Sequence, residues 1–284
     1  MNHKVGILGL GYVGQAIKEN FKPYFDTIFC YDKFFEEKSN VKNLEVLVNK
    51  SDIIFLCLPT PMETSGKCHT DIVESEVNKI NNFCNNKPKK TVVIKSTIPP
   101  GTTDSLQASN DKINLLFNPE FLTEKNFIED FKNQKNIIIG GNDKNRILEE
   151  VYRYVFPKVE ITKCKSIEAE MIKYFINTFL ATKVSFVNEM KILCDRLKID
   201  YDKVSDLAKF DDRIGSSHLK VPGPDGKVGF GGSCFPKDIN ALIFFAKQNS
   251  VDMSLLKAAW EINLSLRKEK DWEKLIGRSI IEKK

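Results

Sequence analysis

Six short apolar runs punctuate the first half of the chain: VGILGL, TIFCYD, DIIFLCLP, TVVIKST, INLLFNPE and NIIIGG. Each is rich in Val, Ile and Phe, and each is nearly continuous rather than alternating. Strands covered on both faces read this way, because neither side meets water. Between the runs lie helix-compatible stretches, such as Val13–Phe21 and Asp71–Cys84. That rhythm predicts an α/β fold with an N-terminal, Rossmann-type doubly wound parallel sheet.

The texture changes near Lys163. From Ser166 to about Leu197 runs a helical pattern with neither Pro nor Gly. A second helical zone covers Lys203–Phe210, and a Gly- and Pro-rich loop follows from Arg213 to Cys234. Beyond it, Pro236–Gln248 and Met253–Lys274 again read as helices. The expected organisation is a dinucleotide-binding sheet domain over 1–162 and an all-helical domain over 163–284.

Composition narrows the classes of function. With 42% hydrophobic and 29% charged residues, the chain can bury a core and is not disordered. A net charge of +5, dispersed and without an arginine-rich stripe, suits an anionic small molecule and argues against nucleic acid. Seven cysteines without a CxxC pair, and three scattered histidines, point to reduced thiols, a cytoplasmic setting and no metal. The N-terminus lacks the pattern of a signal peptide, and no apolar run approaches membrane-spanning length. The final run, RKEKDWEKLIGRSIIEKK, reads as a solvated helix end with a short tail.

Gly9-Leu-Gly11-Tyr12-Val13-Gly14 follows the first strand and opens a helix. Gly9 permits a tight turn, Gly11 lets a pyrophosphate approach the backbone, and Gly14 lets helix and strand pack closely. The second apolar run ends in Asp32, a carboxylate placed to accept from a ribose and to repel a 2′-phosphate, which favours NAD over NADP. Lys33 beside it weakens that preference. Later runs end in CLPTP (Cys57–Pro61), KSTIPPGT (Lys95–Thr102) and NPEFLTE (Asn118–Glu124). In an open α/β sheet, ligands gather beyond the carboxyl ends of the strands, where these loops would lie.

Two features of the second half carry candidate chemistry. Glu170, Lys173 and Asn177 are spaced i, i+3, i+7 and form a narrow polar stripe on an otherwise apolar helix. A solvated face is the ordinary explanation, but Asn is a poor helix former without a reason to be there. A lysine so placed could stabilise an oxyanion, with Asn177 orienting a substrate or water. The second feature is GFGGSCFPKD (Gly229–Asp238). Gly231 and Gly232 clear side chains from the approach to Cys234. Pro236 suits the first turn of a helix, which puts Cys234 just before a helix N-terminus. There a thiolate is favoured, with Lys237 adding to the effect.

With these pieces in place, the chain resembles the UDP-glucose/GDP-mannose dehydrogenase family. The resemblance rests on GYVG (11–14), LPTP (58–61), STIPPGT (96–102), NPEFLTE (118–124), Glu170, Lys173 and Asn177. It continues through FLATKVSFVNE (179–189), DDRIG (211–215) and the Cys234 segment. It implies NAD-dependent, four-electron oxidation of a nucleotide-sugar primary alcohol to a carboxylate. Cys234 then resembles the family's nucleophile, Lys173 its oxyanion lysine with Asn177 beside it, and Asp238 a carboxylate that positions water. Thr97 matches a hydroxyl near that water, and Glu120 and Glu124 the acidic pair near substrate and nicotinamide. On the cofactor side the resemblance further implies Gly9, Gly11, Tyr12, Val13, Gly14, Asp32, Pro59, Thr60 and Lys237. On the substrate side it implies Phe121, Leu122, Phe230 and Gly231. Arg213 resembles an arginine that reaches a neighbouring subunit's substrate, which implies a homodimer through the helical domain.

The family's members usually continue into a third domain that this sequence does not include; a naturally short form, a piece cut from a longer chain and a cover supplied by a separate chain all stay open. The sugar stays open: UDP-glucose leads, with GDP-mannose, UDP-GlcNAc and UDP-ManNAc behind it. So does the base for hydrolysis, whether Glu120, Asp238 or a water between them. Two other readings stand beside this one: a two-electron β-hydroxyacid dehydrogenase, and a non-catalytic nucleotide-sugar or NAD binder.

Overall fold

The computed structural model describes residues 3–85 and 87–281, so Met1, Asn2, Asn86 and the last three residues of the C-terminal run lie outside it. Seven strands form one sheet: β1 (Val5–Leu8), β2 (Ile28–Tyr31), β3 (Ile53–Leu56), β4 (Lys90–Ile94), β5 (Ile113–Phe117), β6 (Asn136–Gly140) and β7 (Glu160–Cys164). Their order is β2-β1-β3-β4-β5-β6-β7. All neighbours are parallel except β5 and β6, which meet antiparallel at Phe117 and Gly140. The helices within this part are α1 (Tyr12–Phe21), α2 (Leu44–Lys50), α3 (Asp71–Phe83), α4 (Thr102–Ser109), α5 (Phe127–Lys132) and α6 (Ile147–Val155). The remainder contributes α7 (Ser166–Arg196), α8 (Tyr201–Ala208), α9 (Cys234–Gln248) and α10 (Ser254–Leu266).

Alternate residues of each central strand enter two separate cores. Val5, Ile7, Ile53, Phe55, Val93, Leu116, Ile137 and Ile139 pack with Phe21, Phe131 and Tyr152 on one face. Leu8, Ile54, Leu56, Val92, Ile94, Leu115 and Phe117 pack with Leu47, Val77, Ile80 and Leu106 on the other. This double burial is why the strands read as unbroken apolar runs. The doubly wound α/β class expected from the pattern is the fold found. Strand β7 escaped that reading because EITKC is an edge strand, largely exposed and charged, as edges that resist further pairing usually are.

The chain divides into two units: residues 1–60 with 70–173, and residues 61–69 with 174–284. The division falls inside α7, after Lys173. The first unit is the sheet with its helices. The second holds most of α7 with α8, α9 and α10, and the short excursion Pro61–His69 belongs to it. Within that unit Met62 bridges Cys68 and Ile280, so the excursion pairs with the end of the described chain. No helix among the described residues is long and apolar enough to cross a membrane. None of the seven cysteines is in a disulfide.

Helix α7 inverts the usual arrangement of faces. Its polar stripe is buried: Glu170, Lys173, Asn177 and Asn188 all lie inside. The exposed stripe is apolar, with Phe175, Phe179, Phe186 and Leu193 each more than half exposed, and Leu197 just past the helix end likewise. A solvated polar face therefore does not explain the Glu-Lys-Asn spacing.

Candidate active site

The dinucleotide loop is built by the packing of β1 against β3. Gly9 has φ +91°, and a Cβ there would stand 2.4 Å from the Cys57 carbonyl oxygen. A Cβ at Gly14 would stand 2.0 Å from the Gly9 carbonyl oxygen, so α1 can approach the turn only with glycine at that position. Gly11 differs: a Cβ there meets nothing within 4 Å, which leaves open space above the loop. Gly11 is the N-cap of α1 and offers no capping side chain, and the start of a helix is an end that favours an anion. Tyr12 packs at a tilt against Phe127, with ring centres 5.0 Å apart, and Val13 packs against the sheet core.

Asp32 follows β2 and is buried. Its Oδ2 accepts from Leu10 N at 2.6 Å, and its Oδ1 from Phe34 N and Phe35 N at 2.8 and 3.1 Å. The carboxylate thereby ties the glycine loop to the turn after β2. A carboxylate has about four acceptor positions, so a ribose hydroxyl can still share it. Open room at Gly11, a helix start beside it and a fixed carboxylate fit a dinucleotide.

The loops after β3, β4 and β5 are fastened to each other. Thr60 Oγ1 donates to Thr97 O at 2.7 Å, and Ser96 Oγ accepts from Leu58 N at 3.0 Å. Pro59 is half-buried between them. Lys95 Nζ donates to Asn118 Oδ1 at 2.7 Å, and Tyr152 donates to the same oxygen at 2.5 Å. Burial pushes the Lys95 ammonium down to about 8 and the Cys57 thiol up to about 12. Neither Lys95 nor Tyr152 was singled out from the sequence; a lysine closing an apolar strand was the available signal.

Lys173 is buried and donates to Glu120 twice, to the backbone carbonyl at 2.5 Å and to Oε1 at 2.9 Å. Its ammonium also lies 5.5 Å from the centre of the Phe121 ring. Glu120 Oε2 accepts from Leu122 N at 2.8 Å. Burial alone would raise the Glu120 carboxyl, but the Lys173 charge and these hydrogen bonds hold it below the usual range. Glu124 is half-buried further along the loop. Glu170 takes a different part: its Oε2 accepts from Gly101 N at 2.5 Å and its Oε1 from Thr103 N and Oγ1 at 2.8 and 2.6 Å. It caps α4, so its place on the stripe is architectural.

In the second unit, Asp238 is buried and shared. Asn177 Nδ2 donates to Oδ2 and Lys237 Nζ to Oδ1, both at 2.5 Å. Burial lowers the Lys237 ammonium, but the charges of Asp238 and Cys234 outweigh it and leave the pKa above normal. Cys234 is half-buried and is the first residue of α9, with Ser233 at the N-cap. The helix therefore starts two residues earlier than Pro236 suggested: Pro236 is the third helical residue, in a first turn where its missing N–H costs nothing.

The loop before Cys234 is gripped by residues that sequence reasoning missed. Asn188 Oδ1 accepts from Gly229 N at 3.1 Å. Asn263 accepts from Phe230 N at 2.7 Å and donates to Phe230 O at 3.0 Å. Asp271 Oδ2 accepts from Gly232 N at 2.9 Å. Asn188 continues the Lys173–Asn177 stripe three turns on, and Asn263 is a polar residue on the buried face of α10; both positions were visible as anomalies of pattern. Gly231 corrects an expectation. A Cβ there would sit 2.4 Å from both Arg267 Nη2 and Asp271 Oδ1, so the space is filled by an ion pair rather than left for a ligand. Phe230 is buried against Phe235 and Trp260. Arg213 lies in the exposed turn after α8, and its guanidinium pairs with Asp211 at 2.5 Å.

Comparison with known proteins covers both units. The NAD binding domain of the UDP-glucose/GDP-mannose dehydrogenase family matches residues 32–156, and that family's central domain matches residues 167–265. The first match assigns NAD as the cofactor of the sheet unit. A UDP-glucose 6-dehydrogenase of Bacillus subtilis, TuaD, is 33% identical over 92% of this chain and 62% of its own length. One from Rickettsia bellii is 34% identical over 88% of this chain and 58% of its own. The chain thus spans about three fifths of these relatives. Among solved structures, a UDP-glucose dehydrogenase from Pyrobaculum islandicum superposes with a TM-score of 0.82 at 31% identity, over 93% of this chain and 68% of that one.

Proposed function

This chain belongs to the UDP-glucose/GDP-mannose dehydrogenase family, and we propose that it oxidises the primary alcohol of a nucleotide sugar to the carboxylate, with C6 of UDP-glucose as the leading substrate. The observation that carries the reading is a thiol at the first residue of α9, followed one turn on by the Lys237–Asp238–Asn177 group. Gly9, Gly11, Gly14 and Asp32 would hold NAD, which when bound would supply the two-electron acceptor for each of the two oxidations, alcohol to aldehyde and thiohemiacetal to thioester.

The chain's own residues do the rest. An aldehyde cannot be oxidised further until a nucleophile adds to its carbon. Cys234 sulfur forms that bond as a thiolate, favoured by the N–H groups of the first turn of α9 and by Lys237 nearby. As the bond forms, negative charge moves onto the former carbonyl oxygen. Lys173, aimed by its two hydrogen bonds to Glu120, is the cation assigned to it. Asn177, anchored on Asp238, orients the sugar or the incoming water. Water then adds to the thioester, the carbon–sulfur bond breaks, and thiol and carboxylic acid are released. Glu120 and Asp238 stay candidates for taking the proton of that water, Thr97 for positioning it. Arg213, which pairs with Asp211 in an exposed turn, is assigned to the substrate of a second copy. The apolar stripe of α7 is the face through which two copies would associate.

The test is stoichiometric. NADH is counted per sugar consumed across UDP-glucose, GDP-mannose, UDP-GlcNAc and UDP-ManNAc, for wild type and Cys234→Ser. Two NADH and a uronic acid are expected from wild type, and no acid from the variant. One NADH per substrate, or acid at the normal rate from Cys234→Ser, defeats the reading.

A further inference from the structure

The segment that follows α10 turns back along the loop that carries the thiol. Arg267, the residue after the helix, is almost fully buried. It donates through Nε to Asp271 Oδ1 at 2.9 Å and through Nη2 to Asp225 Oδ2 at 2.6 Å. Asp271 uses its other oxygen for Gly232 N. Burial pushes the Asp271 carboxyl up, but the Gly232 N–H and the Arg267 guanidinium together hold it below the usual range. Trp272, the next residue, is buried and packs at a tilt with its ring 5.3 Å from that of Trp260, whose ring lies 6.0 Å from Phe230. Farther on, Ile281 N donates to Met62 O at 3.0 Å and Met62 N to Ser279 O at 2.7 Å. The segment is therefore anchored at both ends, with Asp271 pressed onto the glycine pair.

We propose that Asp271, aimed by Arg267, is a positioning residue for Cys234. The inference rests on the reading of Cys234 as nucleophile. Its physical basis is the order of constraints along the loop. Asn188 and Asn263 fix Gly229 and Phe230. After them come two glycines, and Gly232 has φ +71°, a conformation that L side chains rarely adopt. A glycine pair would let the chain pivot between the fixed Phe230 and the start of α9. Asp271 removes that freedom at the peptide between the two glycines, one residue before the Ser233 cap. Arg267 removes it a second way, because its guanidinium occupies the place where any side chain at position 231 would go. The sulfur sits two residues beyond the clamped N–H, so its place follows from the clamp. A misplacement of about 1 Å at a reacting atom can cost about 100-fold in rate.

The test uses the full chain. Asp271→Ala is expected to lower kcat about 10- to 100-fold while KM for sugar and NAD moves less than about threefold. Asp271→Asn keeps an oxygen for the Gly232 N–H and is expected to recover most of the loss. A readout independent of turnover accompanies these: site-resolved alkylation of Cys234 by iodoacetamide from about pH 6 to 9, followed by mass spectrometry. Asp271→Ala should change that profile, and Asp271→Asn should restore it. The proposal is overturned if folded Asp271→Ala keeps wild-type kcat and a superimposable alkylation profile. It is equally overturned if the Ala and Asn variants lose activity alike in step with their unfolding temperatures. Should Asp271→Ala not fold, Arg267→Lys makes the same comparison, since it loosens Asp271 and leaves the Gly232 contact; an unaltered kcat and profile there overturns the proposal. If wild type oxidises no nucleotide sugar, the proposed function fails, and the alkylation profiles alone still decide the clamp.

Discussion

Asn177 and Asp238, 61 residues apart, meet through a 2.5 Å hydrogen bond, and Lys237 holds the other oxygen of the same carboxylate. The carboxylate is the common acceptor for an amide on one helix and an ammonium on another. Neither donor keeps its aim without it. Asp238→Asn preserves shape and removes charge, which leaves the buried Lys237 without its counter-ion. The expected cost is about 3–5 kcal/mol of stability, because breaking a buried pair strands one charge. Thermal unfolding measures it, and a variant as stable as wild type would show that Lys237 finds another partner.

Lys173 makes a separate case, because it is fastened to the residue it would help. Lys173→Met keeps length and apolar contact and loses the ammonium. Its kcat is expected to fall about 10²–10³-fold, the usual cost of removing one donor from a developing oxyanion. Glu120→Gln should cost less in the first oxidation, since the Glu120 backbone carbonyl still anchors Lys173. Separate rates for alcohol and aldehyde substrates distinguish the two. Equal losses in both variants would argue that the pair works only as a unit.

Lys95 predicts an alkaline signature in stability. Burial holds its folded pKa at about 8, below the 10.5 of an exposed lysine. Between those values the unfolded chain binds more protons than the folded one, so stability rises as pH climbs through the window and is lost as pH falls back through about 8. The full swing is on the order of 3 kcal/mol at about 1.4 kcal/mol per pKa unit. Denaturant unfolding at pH 7.5 and 10 should show this gain in wild type and not in Lys95→Met. Parallel pH dependence in the two proteins would remove Lys95 as its source.

The exposed stripe of α7 predicts association. Phe175, Phe179, Phe186 and Leu193 fall on one side of the helix, opposite Lys173 and Asn177. Phe179→Asp with Phe186→Asp is expected to convert a dimer to a monomer by light scattering. A wild-type chain that is monomeric at micromolar concentration would sink the assignment.

What could be read from the sequence follows the physics of each signal. Central strands announced themselves because burial on both faces leaves no polar positions; β7, exposed along its edge, gave no such run. The stripe of Glu170, Lys173 and Asn177 was visible by spacing, but only packing separates the α4 cap from the other two. Gly231 looked like room for a ligand and is room for Arg267, since a glycine reports that something is close without saying what. Asp271 and Arg267 were hidden because, beyond pairing with each other, they hold the Gly232 N–H and the Asp225 carboxylate, 39 and 42 residues back along the chain.

The cap that Glu170 places on α4 bears on how the protein can be cut. Gly101 N, Thr103 N and the Thr103 hydroxyl all depend on a carboxylate 67 to 69 residues downstream. A Cβ on Gly140, at the end of β6, would likewise collide with Ala169. An excised piece ending at the last strand would keep every element of the sheet and lose the opening turn of α7. It would begin with a frayed α4 and an uncovered strand end. A cofactor-binding fragment meant for independent expression has to carry that turn with it.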